Sequence, residues 1–138
     1  MLNKETWMQL VDFGLLVFIW TIQLVAYPSF RYFSVESLLK WHKNYTRAVS
    51  IIVMPLMISQ VLLHGWLVFE DATLLNWLTL ILVISTWLVT FIVFVPLHSK
   101  ISINQELSQS LEYLISYNWI RTILWSLIFF VGLFTVQK

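Results

Sequence analysis

Residues 74–97 read LLNWLTLILVISTWLVTFIVFVPL, a run without a single charged side chain. A helix needs roughly 20 apolar residues to cross the hydrocarbon core of a bilayer, which is about 30 Å thick, so this run is long enough to span it. Further apolar stretches of similar length lie at about residues 7–27, 47–69 and 119–136. Backbone groups in lipid must be hydrogen-bonded within their own segment, and no stretch alternates as a membrane strand does. The sequence therefore predicts four membrane-spanning helices.

The composition of the chain indicates the same class. Of its 138 residues, 59% are hydrophobic and only 11% are charged, which leaves too little polar surface for a soluble domain. Because the connections are short, the expected fold is a single all-α domain over residues 1–138, an integral membrane antiparallel four-helix bundle. The chain has no cysteine, which excludes disulfides and thiolate metal ligands.

The net charge and the absence of certain motifs limit the partners. The formal net charge is +1, and the chain contains no basic run and no glycine-rich phosphate loop. These features argue against a nucleic-acid partner. Membrane lipid is the expected partner, a lipophilic small molecule is a candidate, and a homo-oligomer or a larger membrane complex stays open.

The basic residues predict the orientation of the bundle, because Lys and Arg near helix ends favour the cytoplasmic side. The second connection carries Glu70 and Asp71 and no cation, and the termini hold only Lys4 and Lys138. The other cations lie in or beside the first and third connections, at Arg31, Lys40, Lys43, Arg47, Lys100 and Arg121. We therefore expect both termini outside and connections one and three in the cytoplasm, with a bacterial inner membrane as the location.

The connections on the cytoplasmic side are predicted to be helical extensions of the spans. Ser34 is a suitable N-cap for a helix that runs without interruption into the second span, and Ser102 begins a capping-box pattern ahead of the fourth. Pro28 and Pro96 are predicted to end spans one and three, and Pro55 is predicted to kink span two.

The few polar side chains gather at span ends that face the same side of the membrane. Intramembrane polar groups avoid lipid, so their helix faces are expected to converge on a pocket with aromatic walls beneath a cationic rim. Taken singly, each residue is also a typical interfacial residue, and their shared location is what indicates a site. The candidate catalytic residues are His42, His98, Asn118 and Arg121. The candidate ligand-binding residues are Gln23, Tyr27, Arg31, Tyr45, Arg47, Trp87, Phe91, Phe94 and Trp125.

Two short motifs in the third and fourth spans resemble a known family. Val95-Pro96-Leu97-His98-Ser99-Lys100 is followed by Tyr117-Asn118-Trp119-Ile120-Arg121-Thr122. These runs resemble the signature of the anthrone oxygenase-like family of small four-helix membrane proteins, a domain of unknown function. In that family a Val-Pro-Leu-Asn-like turn precedes a Trp-Asn-x-x-Arg-like motif, whereas this chain has His98 in place of the asparagine.

The front half of the chain, with Tyr27-Pro28-Ser29-Phe30, resembles an uncharacterised bacterial subgroup of that family. The resemblance implies an oxidoreductase or oxygenase-like enzyme that oxidises a lipophilic phenolic or polycyclic compound, without a defined cofactor. The residues agree with such chemistry. His42 or His98 would act as general base, because histidine titrates near neutrality, and Arg121 and Asn118 would stabilise the developing oxyanion.

Two other interpretations stay open. In the first, His42 and His98 bind a haem or another metal, since helix-borne histidines at matching depth can hold a haem from both sides. A di-iron carboxylate site is excluded, because the chain has no Glu-x-x-His pair. In the second, the protein is a non-catalytic lipid-binding or accessory protein whose cationic rim binds an anionic headgroup. The sequence does not require a cofactor, and it does not identify which cofactor would bind if there is one.

His64 lies apart from these candidates. It follows His42 by about 22 residues, which places the two roughly 33 Å apart along a helix that rises about 1.5 Å per residue, too far to share a metal. Gln60 and Asp12 are the other polar residues expected toward that side. Asp12 is able either to pair with His64 or to lie at the membrane interface, and the interfacial position is the favoured interpretation.

Overall fold

The structure, a computed structural model, describes residues 3–135 and the side chains of residues 3–134. Its helices are α1 (Lys4–Tyr32), α2 (Val35–Glu70), α3 (Leu74–Ser102) and α4 (Leu107–Thr135). Each is long and apolar enough to cross a membrane, and no strand occurs between residues 3 and 135. The predicted all-α four-helix fold is therefore confirmed. Val136, the predicted end of the fourth span, and Lys138 lie outside the described residues.

The helices form an antiparallel ring in which each packs against its neighbours in sequence and α4 closes against α1. Residues 33–34 and 103–106 turn the chain at one end of the bundle, which we call the His42 end. Residues 71–73 turn it at the other end, which we call the Asp12 end. Large apolar side chains such as Phe69 and Ile92 cover the exterior, as lipid contact requires. Which end faces the cytoplasm stays a prediction.

The helix that begins after Ser34 continues into the second span, as predicted. The Ser34 hydroxyl accepts a hydrogen bond from the backbone N–H of Ser37 at 3.4 Å, which is the expected N-cap contact. With 36 residues and a rise of about 1.5 Å per residue, α2 is about 54 Å long, well beyond the thickness of a bilayer core. The bundle therefore has a helical extension at the His42 end.

The predicted capping box at Ser102 was wrong. Ser102 is the last residue of α3, and its hydroxyl donates back to the carbonyl of His98 at 2.9 Å. The chain then turns through Asn104 and Glu106, which have positive φ angles of 57° and 47°, and α4 begins only at Leu107. Ser102 is thereby held beside the polar residues of α2 instead of opening the next helix.

Pro28 and Pro96 do not end α1 and α3, which corrects the prediction. Each follows a π-helical segment, Ile22–Ala26 in α1 and Thr90–Phe94 in α3. At the end of each segment the residue before the proline donates its N–H to the carbonyl five residues earlier. This wider turn relieves the clash between a proline ring and the carbonyl four residues before it, so the helix continues. The helix α2 continues through Pro55, and the kink predicted there stays a prediction.

Asp12 is buried inside the bundle and pairs with His64, so the interfacial position favoured from the sequence was wrong. His64 Nε2 lies 3.0 Å from Asp12 Oδ2, and both side chains are almost fully buried. Gln60 donates to Asp12 Oδ1 at 2.7 Å and accepts from Trp125 Nε1 at 3.1 Å. This Asp12 cluster joins α1, α2 and α4 by side-chain hydrogen bonds within the apolar core.

Replacing Gln60 by Leu is expected to destabilise the bundle by about 1–2 kcal/mol, because Asp12 loses a donor and Trp125 loses its acceptor. Reversible unfolding in mixed micelles measures the change. Ser85→Ala is the control, since among the described residues that hydroxyl bonds only the Ile81 carbonyl of its own helix. Equal stability of the two variants would show that the Asp12 cluster does not hold the helices together.

Candidate functional site

Polar side chains from all four helices form one continuous hydrogen-bonded chain at the His42 end, which we call the polar chain. Helix α1 contributes two members, α2 one, α3 two and α4 two. In the order of their hydrogen bonds, the members are Ser102, His42, His98, Tyr27, Arg121, Asn118 and Gln23.

The first half of the polar chain joins the two histidines to a tyrosine and a serine. Tyr27 Oη lies 3.1 Å from His98 Nε2, and His98 Nδ1 lies 2.9 Å from His42 Nε2. His42 Nδ1 lies 3.1 Å from Ser102 Oγ. All four ring nitrogens of the histidines are therefore in hydrogen bonds, and the pair links α1, α2 and α3.

The second half of the polar chain holds Arg121 in position. Its Nη2 donates to Tyr27 Oη at 2.9 Å and to Asn118 Oδ1 at 2.6 Å, and its Nε donates to the same Asn118 oxygen at 3.0 Å. Asn118 in turn donates to Gln23 Oε1 at 2.9 Å, and Gln23 donates to the Ile115 carbonyl at 3.3 Å. Asn118 and Gln23 thus act as positioning residues for the guanidinium.

Arg121 and Ser102 together set the direction of the hydrogen bonds, because a guanidinium can only donate and the Ser102 hydroxyl gives its proton to the His98 carbonyl. Tyr27 Oη therefore accepts from Arg121, and Ser102 Oγ accepts from His42 Nδ1. A neutral His98 then carries its proton on Nδ1 and donates to His42 Nε2, and His42 donates from Nδ1 to Ser102. When the His42 and His98 rings are neutral and each carries its proton on Nδ1, every hydrogen bond from Tyr27 to Ser102 has one donor and one acceptor.

The two π-helical segments lie directly beside the polar chain. Tyr27 is the residue after Ile22–Ala26, Phe94 closes Thr90–Phe94, and His98 lies one helical turn beyond Phe94. An inserted residue rotates everything that follows it relative to a regular α-helix. The segments therefore decide which way Tyr27 and His98 point.

A cavity of about 140 Å³ adjoins the polar chain. Its outer wall contains Ser50 of α2 and Phe91 and Val95 of α3, which are exposed on the bundle surface, so the cavity opens sideways between α2 and α3. Apolar side chains form most of the wall. The lining residues are Phe18, Ile22, Tyr27, Tyr45, Thr46, Val49, Ser50, Val53, Met54, Met57, Thr90, Phe91, Phe94, Val95, His98 and Arg121.

The cavity wall holds polar atoms that have no partner among the described residues. The hydroxyl groups of Tyr45 and Thr90 are buried without a hydrogen bond. The Arg121 side chain is only 8% exposed, and no carboxylate pairs with it within residues 3–134. Its guanidinium carbon lies 3.5 Å from the centre of the Phe94 ring, which stabilises the cation without neutralising it.

The structure brings some of the predicted site residues to the cavity and places others elsewhere. Those that line it are Tyr27, Tyr45, Phe91, Phe94, His98 and Arg121. His42, Asn118 and Gln23 lie behind this wall in the polar chain. Trp125 is buried behind Arg121, with its ring centre 5.9 Å from the guanidinium carbon.

Arg31, Arg47 and Trp87 are not part of the cavity wall, contrary to the prediction. Arg31 is on the surface, where its Nε donates to Glu112 at 2.8 Å. Arg47 is exposed, and Trp87 stacks on Phe91 with ring centres 5.7 Å apart. The sequence locates the two arginines at the correct end of the helices, but helix rotation turns them to the surface. Trp87 is partly buried against the hydrophobic core, outside the cavity wall.

Sequence reasoning missed several members of the site. Thr90 precedes Phe94 by four residues and Ser102 follows His98 by four, so continuing the helical stripe in both directions would have included them. The α2 wall is a similar stripe beyond Tyr45, formed by Thr46, Val49, Ser50, Val53, Met54 and Met57. Small and apolar side chains of this kind give no signal of their own in a membrane sequence.

His42 and His98 do not fit a haem or metal held between them. Their facing nitrogens are hydrogen-bonded to each other, and the outer two are bonded to Ser102 and Tyr27. None of the four nitrogens is left for a metal in this arrangement. Within the described residues, no group of three or more His, Cys, Asp or Glu side chains is close enough to hold a metal ion.

No family model, no curated protein and no solved structure matches this chain. The resemblance to the anthrone oxygenase-like family therefore stays a prediction that rests on the motifs around His98 and Arg121.

Nitrogen-15 NMR of histidine-labelled protein in nanodiscs is expected to show His42 and His98 as neutral rings protonated on Nδ1, because Arg121 and Ser102 together orient the chain of bonds. His64 gives an internal comparison, since it bonds Asp12 through Nε2. Single His→Gln variants assign the signals. A proton on Nε2 of His42 or His98 would contradict the direction deduced from Arg121 and Ser102.

Proposed function

We propose that this protein binds a lipophilic molecule whose head is a single phenol-like or quinone-like ring, and that an oxygen of this ring lies against Arg121. The observation that carries the proposal is the guanidinium itself. It is buried at the cavity wall, and no carboxylate neutralises it among the described residues. A charged group inside a membrane bundle is costly unless it is compensated, and such groups commonly mark ligand sites. A ligand oxygen with full or partial negative charge supplies the compensation.

The unpartnered hydroxyls support an oxygen-bearing ligand. Buried polar groups in folded proteins are nearly always hydrogen-bonded, so two orphans in one wall need a reason. Tyr45 and Thr90 both belong to this wall, together with Arg121. A ligand oxygen, or a water that it brings, would satisfy them.

The size of the cavity narrows the class of ligand. An apolar cavity of about 150 Å³ holds one benzene molecule, and the present cavity has about 140 Å³. One six-membered ring fills this volume, and a system of three fused rings would extend through the opening between α2 and α3. Of the compounds implied by the family resemblance, the geometry therefore supports single-ring phenols over polycyclic ones. The opening between α2 and α3 gives an apolar tail a route into the lipid.

The oxidoreductase activity implied by the resemblance would begin in the same place. Removal of the hydroxyl proton needs a base, and Tyr27 and His98 lie in the cavity wall in hydrogen-bond contact. Arg121 faces the oxyanion that forms. An oxidant such as dioxygen would also have to enter the cavity. Binding is the part of this function that the geometry supports directly.

A lipid-binding or accessory role is the second candidate, and Lys43 and Arg47 favour it. Both are exposed at the His42 end, and neither has a carboxylate partner within residues 3–134. The neighbouring cations are already paired, namely Arg31 with Glu112, Lys40 with Glu36 and Lys100 with Glu106. An anionic headgroup would bind these two free cations outside the cavity.

A 4-alkyl-2-nitrophenol is expected to bind the protein in nanodiscs, and its O-methyl ether is expected to bind much more weakly. Arg121→Gln should lower the affinity for the phenol by about tenfold to a hundredfold, since a hydrogen bond to a charged group contributes about 1.5–3 kcal/mol. Titration calorimetry measures both affinities, and Arg47→Gln is the matched control. If substitution of Arg47 and Lys43 lowers the affinity and substitution of Arg121 does not, the result would favour the lipid-headgroup candidate.

The variants Tyr45→Phe and Thr90→Val are expected to lower the affinity for the ligand without lowering the stability of the fold. In the protein without ligand each removes a buried hydroxyl that has no partner, so stability should be unchanged or raised. Affinity for the nitrophenol should fall about fivefold, the equivalent of one hydrogen bond of about 1 kcal/mol. Tyr117→Phe, which removes an exposed hydroxyl, is the control. Lower stability with unchanged affinity would place these hydroxyls outside any ligand site.

A further inference from the structure

The polar chain has one end in the cavity and the other at the surface of the bundle. Tyr27 and His98 line the cavity, whereas Ser102 is exposed where α3 ends. His42 lies between them, is fully buried, and is hydrogen-bonded on both sides. We propose that Tyr27, His98, His42 and Ser102 form a proton path between the ligand cavity and the water at the His42 end. This inference rests on the proposed binding of a ring hydroxyl beside Arg121.

Every link of the path is of hydrogen-bond length. The three contacts from Tyr27 to Ser102 measure 3.1, 2.9 and 3.1 Å. Each member both donates and accepts in the direction set by Arg121 and Ser102, and a neutral histidine is able to take a proton on one nitrogen while it releases one from the other. The geometry therefore needs no intervening water between the cavity and Ser102.

The transfer is balanced when each member passes on one proton. The hydroxyl of the bound ring gives its proton to Tyr27 Oη, and Tyr27 gives its own to His98 Nε2. His98 releases the Nδ1 proton to His42 Nε2, and His42 releases its Nδ1 proton to Ser102 Oγ. Ser102 turns from the His98 carbonyl and gives its proton to water. The ligand is left as an oxyanion, the water becomes hydronium, and each member of the path keeps its original number of protons.

The position of Arg121 favours the separation of charge that the proton transfer produces. Its Nη2 is 2.9 Å from Tyr27 Oη, so the positive charge stands where the ligand becomes negative. The proton meanwhile leaves through two rings that finish neutral. A path of this kind allows a membrane-buried phenol to ionise without opening the cavity to bulk water.

A purely structural role for the same bonds makes a different prediction. If the hydrogen bonds of Ser102 were purely structural, their loss would lower the stability of the protein. If they form part of a proton path, their loss lowers the rate at which a bound hydroxyl exchanges its proton. Ser102→Thr and Ser102→Val give side chains of the same shape, and only the first has a hydroxyl. The added methyl group also keeps water from replacing the lost oxygen.

The experiment follows the 4-alkyl-2-nitrophenol bound to the full-length protein in nanodiscs after a rapid pH jump. Its phenolate absorbs visible light, so stopped-flow absorbance reports the rate of proton loss. Ser102→Thr should react at the wild-type rate, and Ser102→Val should be slower by at least about tenfold, with little change in affinity. Ser99→Val is the matched control, because Ser99 is exposed on the same helix.

His42→Gln is the second variant. Glutamine is able to accept from His98 and donate to Ser102, so it preserves the hydrogen bonds, but it does not change its protonation in the course of a transfer. A slow rate in this variant supports the path. Equal rates in the wild type, Ser102→Val and His42→Gln, with the probe bound, would overturn the path and leave the binding site intact. Failure of the wild type to bind the probe would overturn both.

Discussion

The guanidinium of Arg121 has to be accommodated inside a bundle whose outer surface is apolar, and the organisation of the His42 end follows from this constraint. Asn118 and Tyr27 accept its hydrogen bonds, and Phe94 covers its face. Gln23 holds Asn118 in place. Together with Ser102, which donates to the His98 carbonyl, the arginine also sets the direction of the bonds from Tyr27 to Ser102. Arg121 thereby determines the charge of the cavity and contributes to the protonation pattern of two histidines.

The bundle contains two polar clusters, and they differ in how their charges are compensated and in their access to a cavity. In the Asp12 cluster, Gln60 and His64 both bond the carboxylate, and His64 Nδ1 is buried without a hydrogen bond among the described residues. Neither Asp12 nor His64 lines the cavity at the His42 end. The cluster at the His42 end has an unpaired cation and orphan hydroxyls beside an open cavity. A cluster whose carboxylate is hydrogen-bonded within the core serves stability, whereas a cation without a carboxylate partner beside a cavity is suited to a ligand. Trp125 separates the two, with its indole bonded to Gln60 and its ring near Arg121.

Proline and π-helical geometry connect this chemistry to the fold. Each proline removes a backbone donor, and the preceding π-helical segment lets the helix continue through it. The residues turned inward by these segments, Tyr27, Phe94 and His98, are the ones that meet Arg121. The same adjustment that keeps α1 and α3 long enough to cross a membrane therefore also shapes the cavity. The proposed ligand class and the proposed proton path both depend on this rotation.

The sequence by itself determined the four apolar spans, their antiparallel order and the end of the bundle at which His42, His98, Asn118 and Arg121 gather. These features follow from length, composition and the parity of crossings, which need no knowledge of packing. Only the tertiary structure decided which side chains face inward. Arg31, Arg47 and Trp87 were predicted at the site but lie outside the cavity, and Asp12 was expected at the interface but pairs with His64. The physical reason is that the rotation of a membrane helix about its axis is set by contacts with its neighbours and by local π-helical turns, neither of which hydrophobic periodicity records when all faces are apolar.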